Sequence, residues 1–81
     1  MKDADQIRNL AANLEAAMEL RDMSQETLER LSGVPQATIS RILNAKSNPA
    51  VTHVVRLARA LRTSVDVLMA VPIEENLLTP S

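Results

Sequence analysis

Between Ser24 and Lys46 the chain, SQETLERLSGVPQATISRILNAK, reads as two short helices hinged on its only glycine. Ser24 carries a hydroxyl that can cap free backbone amides, so the first helix is predicted to open there and to bury Leu28 and Leu31. Gly33 ends it, because such a turn needs positive φ and glycine adopts that conformation without steric penalty. The second helix is predicted to start near Pro35, where proline is tolerated, and it sets Ile39, Ile42 and Leu43 on one face. At about 100° per residue, Gln36, Ala37, Ser40, Arg41 and Asn44 fall within less than half of the circumference, turned away from that stripe. Their chemistry suits the major groove of a duplex. Gln pairs bidentately with adenine, Arg with guanine and Ser with either, while an Ala methyl can touch the thymine methyl.

The rest of the chain reads as further helices around this pair. Helix 1 is predicted over about residues 4 to 20, with Asp3 and Asp5 where a first turn favours negative charge and Ile7, Leu10, Leu14, Ala17 and Met18 at helical spacing. Beyond the second motif helix, Ala45 to Pro49 forms a polar loop that Pro49 bars from continuing as helix. Thr52 is the predicted cap of helix 4, with Val51 packing ahead of it and Val54, Val55, Ala58 and Leu61 as its buried stripe. Ser64 then caps a brief helix 5 from Val65 to about Met69, and Pro72 stops it. With five helical segments and no long alternating run, the expected fold is all-α, with residues 1–71 as one domain and 72–81, PIEENLLTPS, as a short tail or linker.

Composition narrows the function. A chain of 81 residues without Phe, Tyr or Trp must build its core from Leu, Ile, Val, Ala and Met, so its stability stands to gain from oligomerisation. Cysteine is absent, which removes disulfides and thiolate ligands and fits a reducing cytoplasm. No apolar run reaches the roughly 20 residues needed to span a bilayer, and MKDADQ is no signal peptide, so a cytoplasmic protein with no membrane partner is expected. His53 is the only histidine and has no companion for a zinc site; the serines and threonines lack a nearby base; no glycine-rich loop cradles phosphates. No metal, no cofactor and no catalysis are therefore expected. The net charge of −1 conceals a segregation: Arg30, Arg41, Lys46, Arg56, Arg59 and Arg62 lie in a stretch from residue 30 to 65 that holds no Asp or Glu. Such a weak overall charge implies that selectivity for a nucleic acid leans on base contacts and geometry rather than on bulk attraction.

Several motifs agree with a single known pattern. Ser24-Gln25 opens the first motif helix, Gly33-Val34 makes the turn, Thr38-Ile39-Ser40-Arg41-Ile42 lies in the second helix, Asn44 and Lys46 follow it, and Asn48-Pro49 precedes the next helix. Leu57-Ala58-Arg59-Ala60-Leu61 and Thr63-Ser64-Val65-Asp66-Val67-Leu68-Met69 match the last two helices of the same pattern. On these motifs, residues 7 to 69 resemble the helix-turn-helix domain of the Cro and lambda-type phage repressor family. The resemblance implies a compact five-helix lambda-repressor-like DNA-binding domain with the helix-turn-helix at helices 2 and 3. It also implies a sequence-specific transcriptional repressor that occupies a palindromic operator of double-stranded DNA as a homodimer.

The same resemblance gives roles to residues. Gln25 stands at a position similar to one that contacts a DNA phosphate in the family, where the free amides of a helix also point. Gln36 leads the base-reading set of Gln36, Ala37, Ser40 and Arg41, since the first turn of such a helix enters the groove deepest. Thr38 reaches a phosphate or satisfies a backbone carbonyl; Asn44 and Lys46 look like clamps on the DNA backbone, although Asn also ends helices for conformational reasons. In the family, helix 5 and its flanks form a two-fold contact, and here Val65, Val67, Leu68, Met69, Val71 and Ile73 are more apolar side chains than one short helix buries, with Val67, Met69 and Val71 the candidate dimer contacts. Two alternatives use the same surplus: an antitoxin that binds a protein toxin as well as DNA, and the amino-terminal domain of a longer phage-type repressor. Two positions depart from the pattern. Glu29 replaces a small residue, and its carboxylate is expected to snorkel to the rim and pair with Arg30 or Arg41; Ala45 replaces a glycine, at a cost of about 1 kcal/mol where φ is positive.

Overall fold

Five helices form in the order the apolar periodicity predicts. The computed structural model describes residues 4–72, with α1 over Ala4–Leu20, α2 over Gln25–Ser32, α3 over Gln36–Leu43, α4 over Val51–Ala60 and α5 over Val65–Met69. The helix charge expected at Asp3, the apolar Ile73 and the tail from residue 73 onward lie outside the described residues. Helix α1 lies against α3 and α5, α2 against α3 and α4, and α4 against α5. Leu10, Leu14, Met18, Leu28, Val34, Ile39, Ile42, Val54, Leu57, Ala58, Leu61 and Leu68 meet in one core to which every helix contributes. Burial of these aliphatic side chains is the dominant favourable term in a chain without aromatic rings.

Local chemistry sets most helix ends. Ser24 has extended backbone and its Oγ accepts the Thr27 N–H at 3.2 Å, while Ser64 caps α5 the same way by accepting from Val67 N at 3.1 Å. Four helices, α1 to α4, stop in the left-handed conformation, at Asp22 (φ 51°), Gly33 (φ 77°), Ala45 (φ 56°) and Arg62 (φ 55°). At Asp22, Ala45 and Arg62 the following residue donates back to a carbonyl five positions earlier: Met23 to Met18, Lys46 to Arg41 and Thr63 to Ala58, each at 2.9 Å. Only one of these four positions carries the residue best suited to it. Ala45→Gly is therefore expected to raise the unfolding free energy by about 1 kcal/mol, read from urea denaturation, because glycine relieves the Cβ clash of positive φ. An unchanged or lowered stability would mean that the gain in unfolded-chain freedom outweighs that relief.

Helix α5 spans five residues and is too short to persist alone, and its carboxyl end is tied to another helix. The Asn13 side-chain amide of α1 donates to the carbonyls of Leu68 at 2.8 Å and Ala70 at 2.6 Å. Just past the end of α1, the Arg21 guanidinium donates to the carbonyls of Leu61 at 3.1 Å and Arg62 at 3.5 Å, which end α4. A cation among the last carbonyls of a helix is favourable for its dipole.

Three expectations need correcting. Leu31 is 56% exposed, because α2 offers only a narrow face inward and Leu28, one turn earlier, fills it. Helix α4 begins at Val51 with Ala50 at its cap, not at a Thr52 cap, and Val51 is 68% exposed instead of packed. Pro49 is buried, Ala50 after it is extended, and the helix starts directly beyond Ala50. In the α4 stripe Leu57 is fully buried and Val55 only half-buried, so the inward face is rotated from the expected one.

Candidate nucleic-acid interface

The turn between α2 and α3 is built by packing as much as by glycine. Val34, directly after Gly33, is fully buried, and its N–H donates to Ser32 Oγ at 3.0 Å. Pro35 then enters α3 with extended ψ and offers no side-chain cap. Its carbonyl accepts from Thr38 N at 2.9 Å and from Ile39 N at 3.0 Å, which closes the first turn. Ile39 and Ile42 sink into the core and Leu43 packs at its edge.

Burial of that stripe turns the opposite side outward. Gln36, Ala37, Arg41 and Asn44 are exposed, and Ser40 and Thr38 are half-buried at the flanks. Among the described residues, none of Arg30, Arg41, Lys46, Arg56, Arg59 and Arg62 forms an ion pair, so their charge is free for an external anion. On α1, Arg8 pairs with Asp5. Asn44 closes on its own helix: its Nδ2 donates to the Ser40 carbonyl at 2.9 Å, which also takes the Asn44 N–H at 3.1 Å. In the free chain Asn44 thus has the conformational role, with its side-chain oxygen still an unused acceptor. Lys46 is exposed just beyond it.

Gln25, half-buried at the start of α2, and Asn44 line one open cleft of about 610 Å³ together with Met18, Met23 and Leu43. Glu15, Glu19 and Asp22 border the same cleft. The three carboxylates share the cleft with Gln25, and their charge disfavours an anion there.

Glu29 does not pair with Arg30 or Arg41. Its Oε2 accepts the backbone N–H of Gln36 at 2.8 Å, a contact that the reading of residue types did not foresee. The signal was present in the sequence, since Glu29 is the nearest carboxylate to a helix start whose cap position is a proline. Of the candidate dimer residues, Val67 is 58% and Val71 49% exposed, whereas Met69 is half-buried against the core. No helix among the described residues is long and apolar enough to cross a membrane, and no cluster of His, Cys, Asp or Glu there is arranged to hold a metal ion.

The family model described as Helix-turn-helix matches residues 14–68. Among solved structures, the chain is similar to a hypothetical transcription factor, NHTF, from Neisseria, with 26% identity over 98% of this chain and 92% of that one and a TM-score of 0.82. It is similar also to the restriction-modification controller protein C.AhdI from Aeromonas hydrophila, with 24% identity over 76% of this chain and 94% of that one and a TM-score of 0.73. A third is an HTH_3 family transcriptional regulator from Vibrio cholerae, 22% identical over 83% of this chain and 38% of that one, with a TM-score of 0.78. No curated protein matches the chain in sequence.

Proposed function

The chain belongs to the helix-turn-helix family of DNA-binding transcription regulators, and from that premise we propose that it is a repressor occupying a palindromic operator as a homodimer. One observation carries the reading: the buried Ile39 and Ile42 leave Gln36, Ala37 and Arg41 exposed together on the outer face of α3, next to unpaired cations. In this reading Gln36, Ala37, Ser40 and Arg41 meet base edges in the major groove. Gln25, Thr38, Asn44 and Lys46 meet phosphates and hold the register. The apolar Val67 and Val71 join two copies so that two reading helices lie about one DNA turn apart, and occupancy of the site excludes polymerase or a competing activator.

Selection of bound sites from random DNA tests this, with a two-fold symmetric consensus as the expected result. Gln36→Ala then weakens binding to that consensus by about 1 to 3 kcal/mol and relaxes one base pair in each half-site. Lys46→Ala weakens all sequences alike and flattens the salt dependence by about one unit. An unchanged base preference in Gln36→Ala, or a sequence-selective loss in Lys46→Ala, would reverse the two roles.

A further inference from the structure

Glu29 occupies a place in α2 that faces the start of α3, and it makes two contacts with the connecting turn. Its backbone carbonyl accepts the Gly33 N–H at 2.8 Å, which closes the end of α2. Its carboxylate accepts the Gln36 N–H at 2.8 Å, which opens α3. One residue thus holds both sides of the turn.

Helix α3 lacks any other partner for that amide. The first amides of a helix have no intrahelical acceptor, and a side chain at the cap position ordinarily supplies one. Pro35 stands there and makes no side-chain hydrogen bond. Its carbonyl takes the amides of Thr38 and Ile39, leaving the Gln36 amide to an acceptor from outside the helix. Glu29 supplies that acceptor seven residues earlier in the chain, and a carboxylate is favoured there because its bond is charge-assisted and faces the positive end of the helix dipole. The bonded amide belongs to the residue whose side chain leads the outward face. Any drift of the Gln36 backbone moves that side chain by a comparable distance, and bidentate pairing with a base does not tolerate a shift near 1 Å.

We propose that Glu29 is a positioning residue for sequence reading, its carboxylate locking the Gln36 backbone so that the Gln36 side chain meets its base in register. The same carboxylate occupies the amide that a phosphate would otherwise take, so the amino end of α3 is reserved for bases instead of the DNA backbone. This inference rests on the proposed reading of a base by Gln36, and its test separates the two.

Amide hydrogen exchange and proton shifts are measured without DNA on the wild-type chain, Glu29→Ala and Glu29→Gln, and each is then put through site selection. In Glu29→Ala the Gln36 amide is expected to exchange about tenfold faster or more, and the preference at the base pair relaxed by Gln36→Ala to fall about tenfold, while the pairs read by Arg41 keep theirs. Glu29→Gln retains an oxygen that accepts the same N–H, so it restores that preference, while loss of the negative charge raises affinity for random DNA. Full preference in Glu29→Ala despite a deprotected Gln36 amide would overturn the proposal, as would an equal loss at every base pair, the mark of a merely weakened fold. If Gln36→Ala changes no preference in the wild-type background, base reading itself fails and the positioning role falls with it. The amide data, obtained without DNA, tell that failure from an absent Glu29 bond.

Discussion

Leu28→Ala is expected to lower the unfolding free energy by about 2 to 5 kcal/mol in urea or thermal denaturation, the largest stability effect of any single truncation in α2. Leu28 is fully buried in the common core, on the helix that packs against both α3 and α4. Removing its isopropyl group leaves a cavity in a core with no aromatic ring to move into it. Small domains are stable by about 5 to 15 kcal/mol, so this one change removes a large fraction and loosens the seat of α3. Leu31→Ala, one turn further along the same helix, is the control. At its exposed position the change should stay within about 0.5 kcal/mol. Equal losses at the two positions would mean that the inward face of α2 is misplaced.

Val67→Glu is expected to leave the monomer folded and to break the proposed dimer. Val67 is exposed on α5, and with Ala12, Ala16, Leu20 and Pro72 it lines an open groove between α1 and α5. Two copies meeting there would bury a carboxylate from each across the two-fold axis, which is unfavourable without a partner charge. Two tethered half-site contacts exceed one by about 10² to 10⁴-fold in apparent affinity, so operator binding should fall by that factor while the fit to a single half-site is unchanged. Sedimentation should show dimers for the wild-type chain and monomers for the variant. Val71→Glu repeats the test from a second exposed position; Met69 is less suited, because it packs on the core and its replacement also perturbs folding. A wild-type chain that sediments as a monomer yet binds its site undiminished would remove this face from the dimer and reassign it to a different protein partner.

What the sequence determined by itself is what one segment can decide alone. The order of the five helices followed from apolar residues recurring at 3.6-residue spacing, and the caps at Ser24 and Ser64 from hydroxyls that reach their own backbone three residues on. Gly33 marked the turn because positive φ is a local steric matter; Ala45 was singled out by the resemblance, as a departure from a pattern that has glycine there, and its φ of 56° is positive. The outward arc of α3 was legible too, since Ile39 and Ile42 leave one side for the core.

Tertiary structure decided everything that depends on where a neighbouring helix lies. Leu28 and Leu31 are equivalent to any periodicity argument, and only the placement of α3 and α4 buries one and exposes the other. The same holds for Leu57 against Val55 in α4 and for Val34, a turn residue that is fully buried in the common core. Polar contacts across the chain were beyond local reading altogether: Asn13 reaches Leu68 over 55 residues and Arg21 reaches Leu61 over 40. Glu29 shows the difference at its sharpest. Its charge predicted that it needed a partner, and nearby arginines were the obvious ones by residue type. A bare amide held within 2.8 Å by the geometry of two packed helices, with no side chain of its own helix to satisfy it, became the partner instead.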